Sequence, residues 1–279
     1  MCDRTAQIKI ILDGLYERYS HKSFIPPDPL QFVYRYAEPC DMEITAFLSA
    51  SLAYGRVKQI ENSLTDLLGR MGPSPYDFVM SFGSKQRKLL RNFKHRFTTG
   101  DDISDLLTLL KAVLAEYGSI EKFFLIGYSS NDADIIPALS RFCGSLGGVN
   151  QSRGLKYLLV DPARGSACKR MNLFLRWMVR DSDVDTGLWK SIDKAKLIVP
   201  IDVHMARLCR ILGFYDKKTV SLATAVKITR QFAKIDSADP VKYDFALSRI
   251  GIIENCTGRI ADQCENCELR DFCLKLQEQ

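Results

Sequence analysis

The sequence predicts an all-α fold, and three observations carry that prediction. Apolar residues recur at the 3.6-residue period in one segment after another. No strand-like alternation lasts more than a few residues. Short clusters of Gly, Pro, Ser and Asp separate the segments at helix-length intervals. With 46% hydrophobic and 26% charged residues over 279 positions, the chain can bury a sizeable core without covalent staples.

Taken in order, Thr5 to Tyr19 sets Ile8, Ile11, Leu12, Leu15 and Tyr19 on one stripe, which predicts an amphipathic helix. Three prolines between His21 and Pro29 break it, and Pro29 is placed to start the next helix. Met42 to Tyr54 is small and apolar nearly all round (Ile44, Ala46, Phe47, Leu48, Ala50, Leu52, Ala53), the pattern of a central core helix. Amphipathic helices are predicted over Arg56 to Arg70, Tyr76 to Phe82, Lys85 to Phe97, Ile103 to Tyr117, Ile120 to Gly127 and Ala133 to Leu146. Further helices are predicted over Ser166 to Arg180, Val203 to Leu212, Val220 to Lys234 and Pro240 to Ile252. Neither an internal repeat nor a low-complexity tract interrupts the series.

Charge and punctuation narrow the function classes. Lys and Arg number 39 against 33 Asp and Glu, a formal net +6, which permits a polyanionic partner without demanding one. No apolar run reaches membrane-spanning length and the first residues lack a basic segment feeding an apolar one, so a soluble cytoplasmic protein without a membrane partner is expected.

Four of the 9 cysteines, Cys256, Cys264, Cys267 and Cys273, stand in the pattern C-x7-C-x2-C-x5-C. Four thiolates so close in sequence can surround one soft metal centre. One C-x2-C knuckle, a long first arm and no internal histidine favour a [4Fe-4S] cluster, with zinc as the alternative. Cys2, Cys40, Cys143, Cys168 and Cys209 are scattered singly and read as small core residues.

Two other segments carry chemistry. In Pro200-Ile201-Asp202-Val203-His204, Asp202 falls where a helix N-cap belongs. Capping alone accounts for an Asp there, but helix N–H groups also keep such a carboxylate ionised, which suits catalysis. In Asp161-Pro162-Ala163-Arg164-Gly165-Ser166-Ala167-Cys168-Lys169-Arg170, a Pro and Gly turn runs into a helix start. Lys169, Arg176 and Arg180 fall within about twenty degrees of one helical line, a cationic stripe whose plain reading is a solvated basic face.

Together these segments resemble the helix-hairpin-helix DNA glycosylase superfamily typified by endonuclease III. Pro200-Ile201-Asp202-Val203-His204 is similar to the family's Pro-Val-Asp-Thr-His segment, which carries its essential Asp. The cysteine loop has the family's order of arms, with a first arm one residue longer, and Ala46-Phe47-Leu48-Ser49-Ala50-Ser51 is similar to its buried Leu-Leu-Ser-Ala-Gln helix. The family's Leu-Pro-Gly-x-Gly-x-Lys hairpin is replaced here by Asp161 to Lys169, and the spacing of Lys169 from Asp202 is closer to the archaeal 8-oxoguanine glycosylase branch. A bacterial offshoot of the superfamily is therefore expected.

The resemblance implies two helical domains with a cleft between them, residues 1–38 with 198–279 carrying the cysteine loop and residues 39–197 carrying the hairpin. It implies a monomeric base-excision enzyme acting on double-stranded DNA with a damaged base, nucleoid-associated in a bacterium. Asp202 would stabilise the sugar cation and Lys169 would be the nucleophile, giving a glycosylase with associated AP-lyase chemistry; with Lys169 at a phosphate instead, Asp202 would activate water and the glycosylase would be monofunctional. Phosphate contacts are expected from Arg164, Gly165, Ser166 and Arg170 in the hairpin and Arg259 in the cysteine loop. The row Lys85, Arg87, Lys88, Arg91, Lys94 and Arg96 reads as a solvated helix face, with phosphate binding as its second reading. Asp181 to Gly187 fails as a calcium loop, because Ile192 stands where a bidentate Glu is required, and reads as a solvated acidic turn. The rival to catalysis is a non-catalytic iron–sulfur DNA-binding protein on the same scaffold.

Overall fold

Side-chain caps and prolines mark where the helices of this chain begin. The structure, a computed structural model, describes residues 4–147, 152–217, 219–252, 256 and 259–273. Its helices are α1 (Arg4–Tyr19), α2 (Pro39–Ser51), α3 (Val57–Met71), α4 (Pro75–Met80), α5 (Ser84–Leu90), α6 (Gly100–Tyr117), α7 (Ile120–Ile126), α8 (Ile136–Gly147), α9 (Arg153–Leu158), α10 (Lys169–Val179), α11 (Val203–Ile211), α12 (Leu222–Ile235) and α13 (Asp244–Ile252). Strands β1 (Lys94–His95) and β2 (Thr98–Thr99) form one antiparallel hairpin. Among the described residues the fold is all-α apart from that hairpin and an isolated bridge between Asp181 and Thr186. No helix among the described residues is long and apolar enough to cross a membrane.

Local chemistry accounts for the boundaries. Ser74, Thr99, Ser119, Ser152 and Ser221 each accept a backbone N–H of the first turn of α4, α6, α7, α9 and α12, satisfying donors that the helix itself cannot. At the other end of α6, Gly118 takes φ 83°, a left-handed conformation that suits glycine.

As its composition predicts, α2 is buried along nearly its whole length. It packs on α10, α4 and the 3-10 segment Pro29–Arg35. Small residues such as Ala46, Ser49 and Ala50 let neighbouring helices approach, while Phe47 stands edge-on to Phe174 of α10 at 5.1 Å between ring centres. Burying one such ring contributes about 1.5–3 kcal/mol. A second group forms where α1 lies on α13 and α12, and α11 lies on α13. The 3-10 segment Pro29–Arg35 also packs on α3.

Four expectations need correction. The predicted helix Lys85 to Phe97 stops at Leu90, and the hairpin follows. His95 is fully buried there, its Nδ1 accepting from Ser63 Oγ at 2.9 Å and its Nε2–H donating to Tyr54 O at 3.0 Å, a tertiary hold that helical propensity cannot match. The basic row is therefore not one helix face, and Arg87 is already paired with Asp101 and Asp105. Arg176 and Arg180 are not solvated: both are buried against Asp185, with Asp244 completing the site of Arg176 and Asp239 that of Arg180. The turn Asp181 to Gly187 is correspondingly not a purely solvated one, since Asp185 is 1% exposed. Finally, Cys143, Cys168 and Cys209 are buried as expected, but Cys40 is exposed, and Cys2 lies outside the described residues.

Candidate active site

Helix α10 starts from an unusual backbone. A 3-10 turn, Pro162–Arg164, is capped by Asp161, whose carboxylate accepts from Ala163 N at 2.8 Å and from Ser140 Oγ at 2.7 Å. Gly165 then takes φ 83° and Cys168 takes φ 45°, the left-handed region that a residue with a Cβ adopts only under constraint. The constraint includes the Cys168 thiol, which donates to Val160 O at 3.2 Å. These two reversals turn the chain so that Lys169 opens α10. Residues 159–168 thus connect α9 to α10.

Asp202 caps α11 as predicted. One carboxylate oxygen, Oδ1, accepts the amides of His204 and Met205, each at 2.9 Å. The other, Oδ2, faces Lys169 Nζ at 3.5 Å. Both side chains are about one-third exposed, at 32% and 37%. Burial pushes the Asp202 carboxyl up, yet the Lys169 ammonium and the two capping amides outweigh it and hold the group below the usual carboxylate range. Lys169 Nζ also donates to Ala53 O at 3.4 Å, at the end of α2. Three helices therefore meet at this pair.

Beside it opens a cavity of about 300 Å³, walled by Tyr54, Val160, Ser166, Cys168, Lys169 and Ile201 among others. The remaining hairpin residues are distributed unevenly around it. Arg164 and Gly165 are exposed on the turn, and Ser166 is half-buried with its hydroxyl accepting Cys168 N at 3.2 Å. Arg170, expected at a phosphate, points inward. It donates to Ser51 O at 2.8 Å and to Tyr157 O, with its guanidinium 4.6 Å from the Tyr157 ring and 5.2 Å from the Tyr54 ring. Two of its donors are consumed by the protein, so it positions the cavity wall. Tyr54 and Tyr157 escaped the sequence reading because nothing in their local spacing brings them to Lys169.

The four clustered cysteines line a second cavity with Leu208, Ile211, Ile250 and Leu269, and Arg259 and Arg270 stand at its edge. Burial pushes the Cys267 thiol up, and Cys256, Cys264 and Cys273 beside it add to the effect, so all four converge. Arg207 of α11 donates to Cys256 O at 2.7 Å, linking this loop to the helix that Asp202 caps. Among the described residues no three His, Cys, Asp or Glu side chains stand as a ready-made set for a single ion. An all-sulfur donor set in an apolar wall fits a soft centre, iron–sulfur or zinc, and no hard cation.

The sequence model of the family described as "Protein of unknown function (DUF2400)" matches residues 28–253. That span contains Lys169 and Asp202 and ends before Cys256. No curated protein and no solved structure matches the chain.

Proposed function

The chain belongs to the DUF2400 family, and for this member we propose a DNA base-excision glycosylase of helix-hairpin-helix type, with Lys169 as nucleophile and Asp202 as its charged partner. The observation that carries the reading is the 3.5 Å approach of Lys169 Nζ to Asp202 Oδ2 at the edge of an open cavity. Support also comes from the turn through Gly165 and Cys168 that places Lys169 at the start of α10.

Breaking an N-glycosidic bond builds positive charge on the sugar. A carboxylate kept ionised by two helix amides can oppose that charge. Nucleophilic attack needs the free amine, and Asp202 is within reach of the Lys169 proton. The Nζ lone pair forms a bond to the anomeric carbon, the carbon–nitrogen bond to the base breaks, and the base leaves with its electron pair and a proton. The C1′–O4′ bond then opens, the ring oxygen taking up a proton from the lysine nitrogen, to leave a protonated Schiff base; loss of a C2′ proton expels the 3′ phosphate, and water hydrolyses the Schiff base to free the lysine. Should Lys169 serve only as a counterion, Asp202 would direct water and the strand would stay intact.

Cys256, Cys264, Cys267 and Cys273 would hold a [4Fe-4S] cluster, which acts as a cross-link for the loop packed behind α11. Arg164 and Arg259, both exposed, remain available to DNA phosphates.

Borohydride trapping on duplexes with an abasic site, run beside base release from a panel of oxidised, alkylated and deaminated oligonucleotides, tests this directly. The wild type is expected to form a covalent adduct that Lys169→Gln does not form. Metal-replete protein that neither releases a base nor traps DNA overturns the proposal.

A further inference from the structure

Phe97 is 71% exposed, equal to the most exposed large apolar side chain among the described residues, and it stands at the tip of the β1–β2 hairpin. The turn is built on Arg96 and Phe97, and Arg96 takes φ 52° where a two-residue turn usually employs Gly or Asn. The tip is held rather than loose. Tyr54 Oη lies 2.9 Å from His95 O and 2.7 Å from Thr98 Oγ1, touching both strands, while buried His95 anchors β1 to α3. The Arg96 side chain lies against Gly55, where an added Cβ would come within 2.7 Å of it.

From this tip a row of rings leads inward. Phe97 meets Tyr157 at 6.2 Å, Tyr157 meets Tyr54 at 5.2 Å, and Tyr54 walls the cavity beside Lys169. Exposed cations stand on the elements that carry these rings, Arg91, Lys94 and Arg96 in and before the hairpin and Arg153 and Lys156 in α9, and the Arg96 guanidinium lies 5.3 Å from the Phe97 ring. None of the five has an acidic partner within ion-pair distance among the described residues. The acids near the hairpin are already engaged, Asp101 and Asp105 by Arg87 and Asp102 by the Thr99 amide and hydroxyl.

We infer that the Arg96–Phe97 turn is a nucleobase-stacking site, where Phe97 holds an unpaired base of DNA while Arg91, Lys94, Arg153 and Lys156 contact the adjoining phosphates. An exposed ring alone would suit many partners, but a rigidly held ring amid unpaired cations suits a flat base on a polyanionic chain. The inference deepens the excision reading and rests on it for the orientation of the strand. It predicts a preference for DNA whose stack is already interrupted, because a paired base has both faces covered.

Binding is measured by anisotropy with Lys169→Gln protein, which needs no chemistry, on a labelled duplex containing a tetrahydrofuran abasic site and on the same duplex fully paired. Phe97→Ala is expected to weaken binding to the interrupted duplex by about 5- to 150-fold, with little change on the paired one and no change in melting temperature. Phe97→Trp should retain the preference, and Lys94→Gln should weaken both duplexes alike and lower the salt slope by about one. Equal affinity of Phe97→Ala and its parent, or an equal loss on both duplexes, overturns the stacking site. Phe97-dependent binding by a protein that excises nothing refutes the excision reading alone. Excision that Phe97→Ala leaves intact, with unchanged binding, refutes the stacking site alone.

Discussion

Replacing Asp202 separates its two roles, capping and chemistry. In Asp202→Asn the side-chain oxygen can still accept the amides of His204 and Met205, so the cap survives, whereas the charge opposite Lys169 is gone. Asn and Asp are comparable N-caps, and a partly exposed ion pair contributes only about 0.2–1 kcal/mol, so the Asn variant should lose less than about 1 kcal/mol. Asp202→Ala removes the cap as well and should lose a further ~1 kcal/mol, which lowers the melting temperature by about 2–4 °C. Catalysis should respond in a different proportion. Loss of a positioned carboxylate from proton transfer and charge stabilisation is expected to slow base release by about 10²–10⁴, equivalent to about 2.7–5.4 kcal/mol. The assay pairs thermal denaturation with single-turnover base release and borohydride trapping on the same preparations. An Asn variant within about threefold of wild-type rate while the Ala variant loses stability would make Asp202 a cap and nothing more, and would refute the mechanism.

Asp185→Ala leaves two buried arginines short of a counter-charge and is expected to cost about 3–5 kcal/mol, read as a fall in the urea midpoint; a loss under 1 kcal/mol would show that water or Asp239 and Asp244 compensate. Asp13 accepts from Tyr243 Oη, Lys242 Nζ and Lys9 Nζ, which together bring its carboxyl down to about 2 despite the opposing effect of burial. A depressed carboxyl stabilises the fold above its unfolded value near 4 and loses that contribution as pH falls through about 2, so Asp13→Asn should flatten the acid limb of stability between those values. An unchanged acid limb would remove Asp13 from the account. Cys267→Ser should abolish stoichiometric iron and acid-labile sulfide in purified protein; a colourless wild type with one zinc overturns the cluster assignment.

Most helices were legible because the reason for them is local, although α9, capped by Ser152, was not among those predicted. Ser74, Thr99, Ser119 and Ser221 announce their helices by a side chain that bonds an amide three residues on, and α2 announces its burial by composition. Asp202 was legible as a cap for the same reason. The hairpin at Lys94–Thr99 was not, because its cause is Tyr54 and Ser63, distant in sequence, closing over His95. Periodicity placed Lys169, Arg176 and Arg180 on one line but could not say that Asp185, Asp239 and Asp244 would meet two of them. The cavity wall was hidden likewise, since Tyr54, Tyr157 and Arg170 come from three separate segments.

Helix α1 leans on α13 and α12, Arg18 reaches Glu268, and Arg4 lies 5.5 Å from the Phe272 ring. During translation the apolar stripe of α1 emerges from the ribosome long before the segments that cover it, and most of the polypeptide must be made while Leu12 and Leu15 stay bare. Slow codons placed ahead of α12 would lengthen the hazardous interval, whereas speeding the ribosome there should raise the soluble yield.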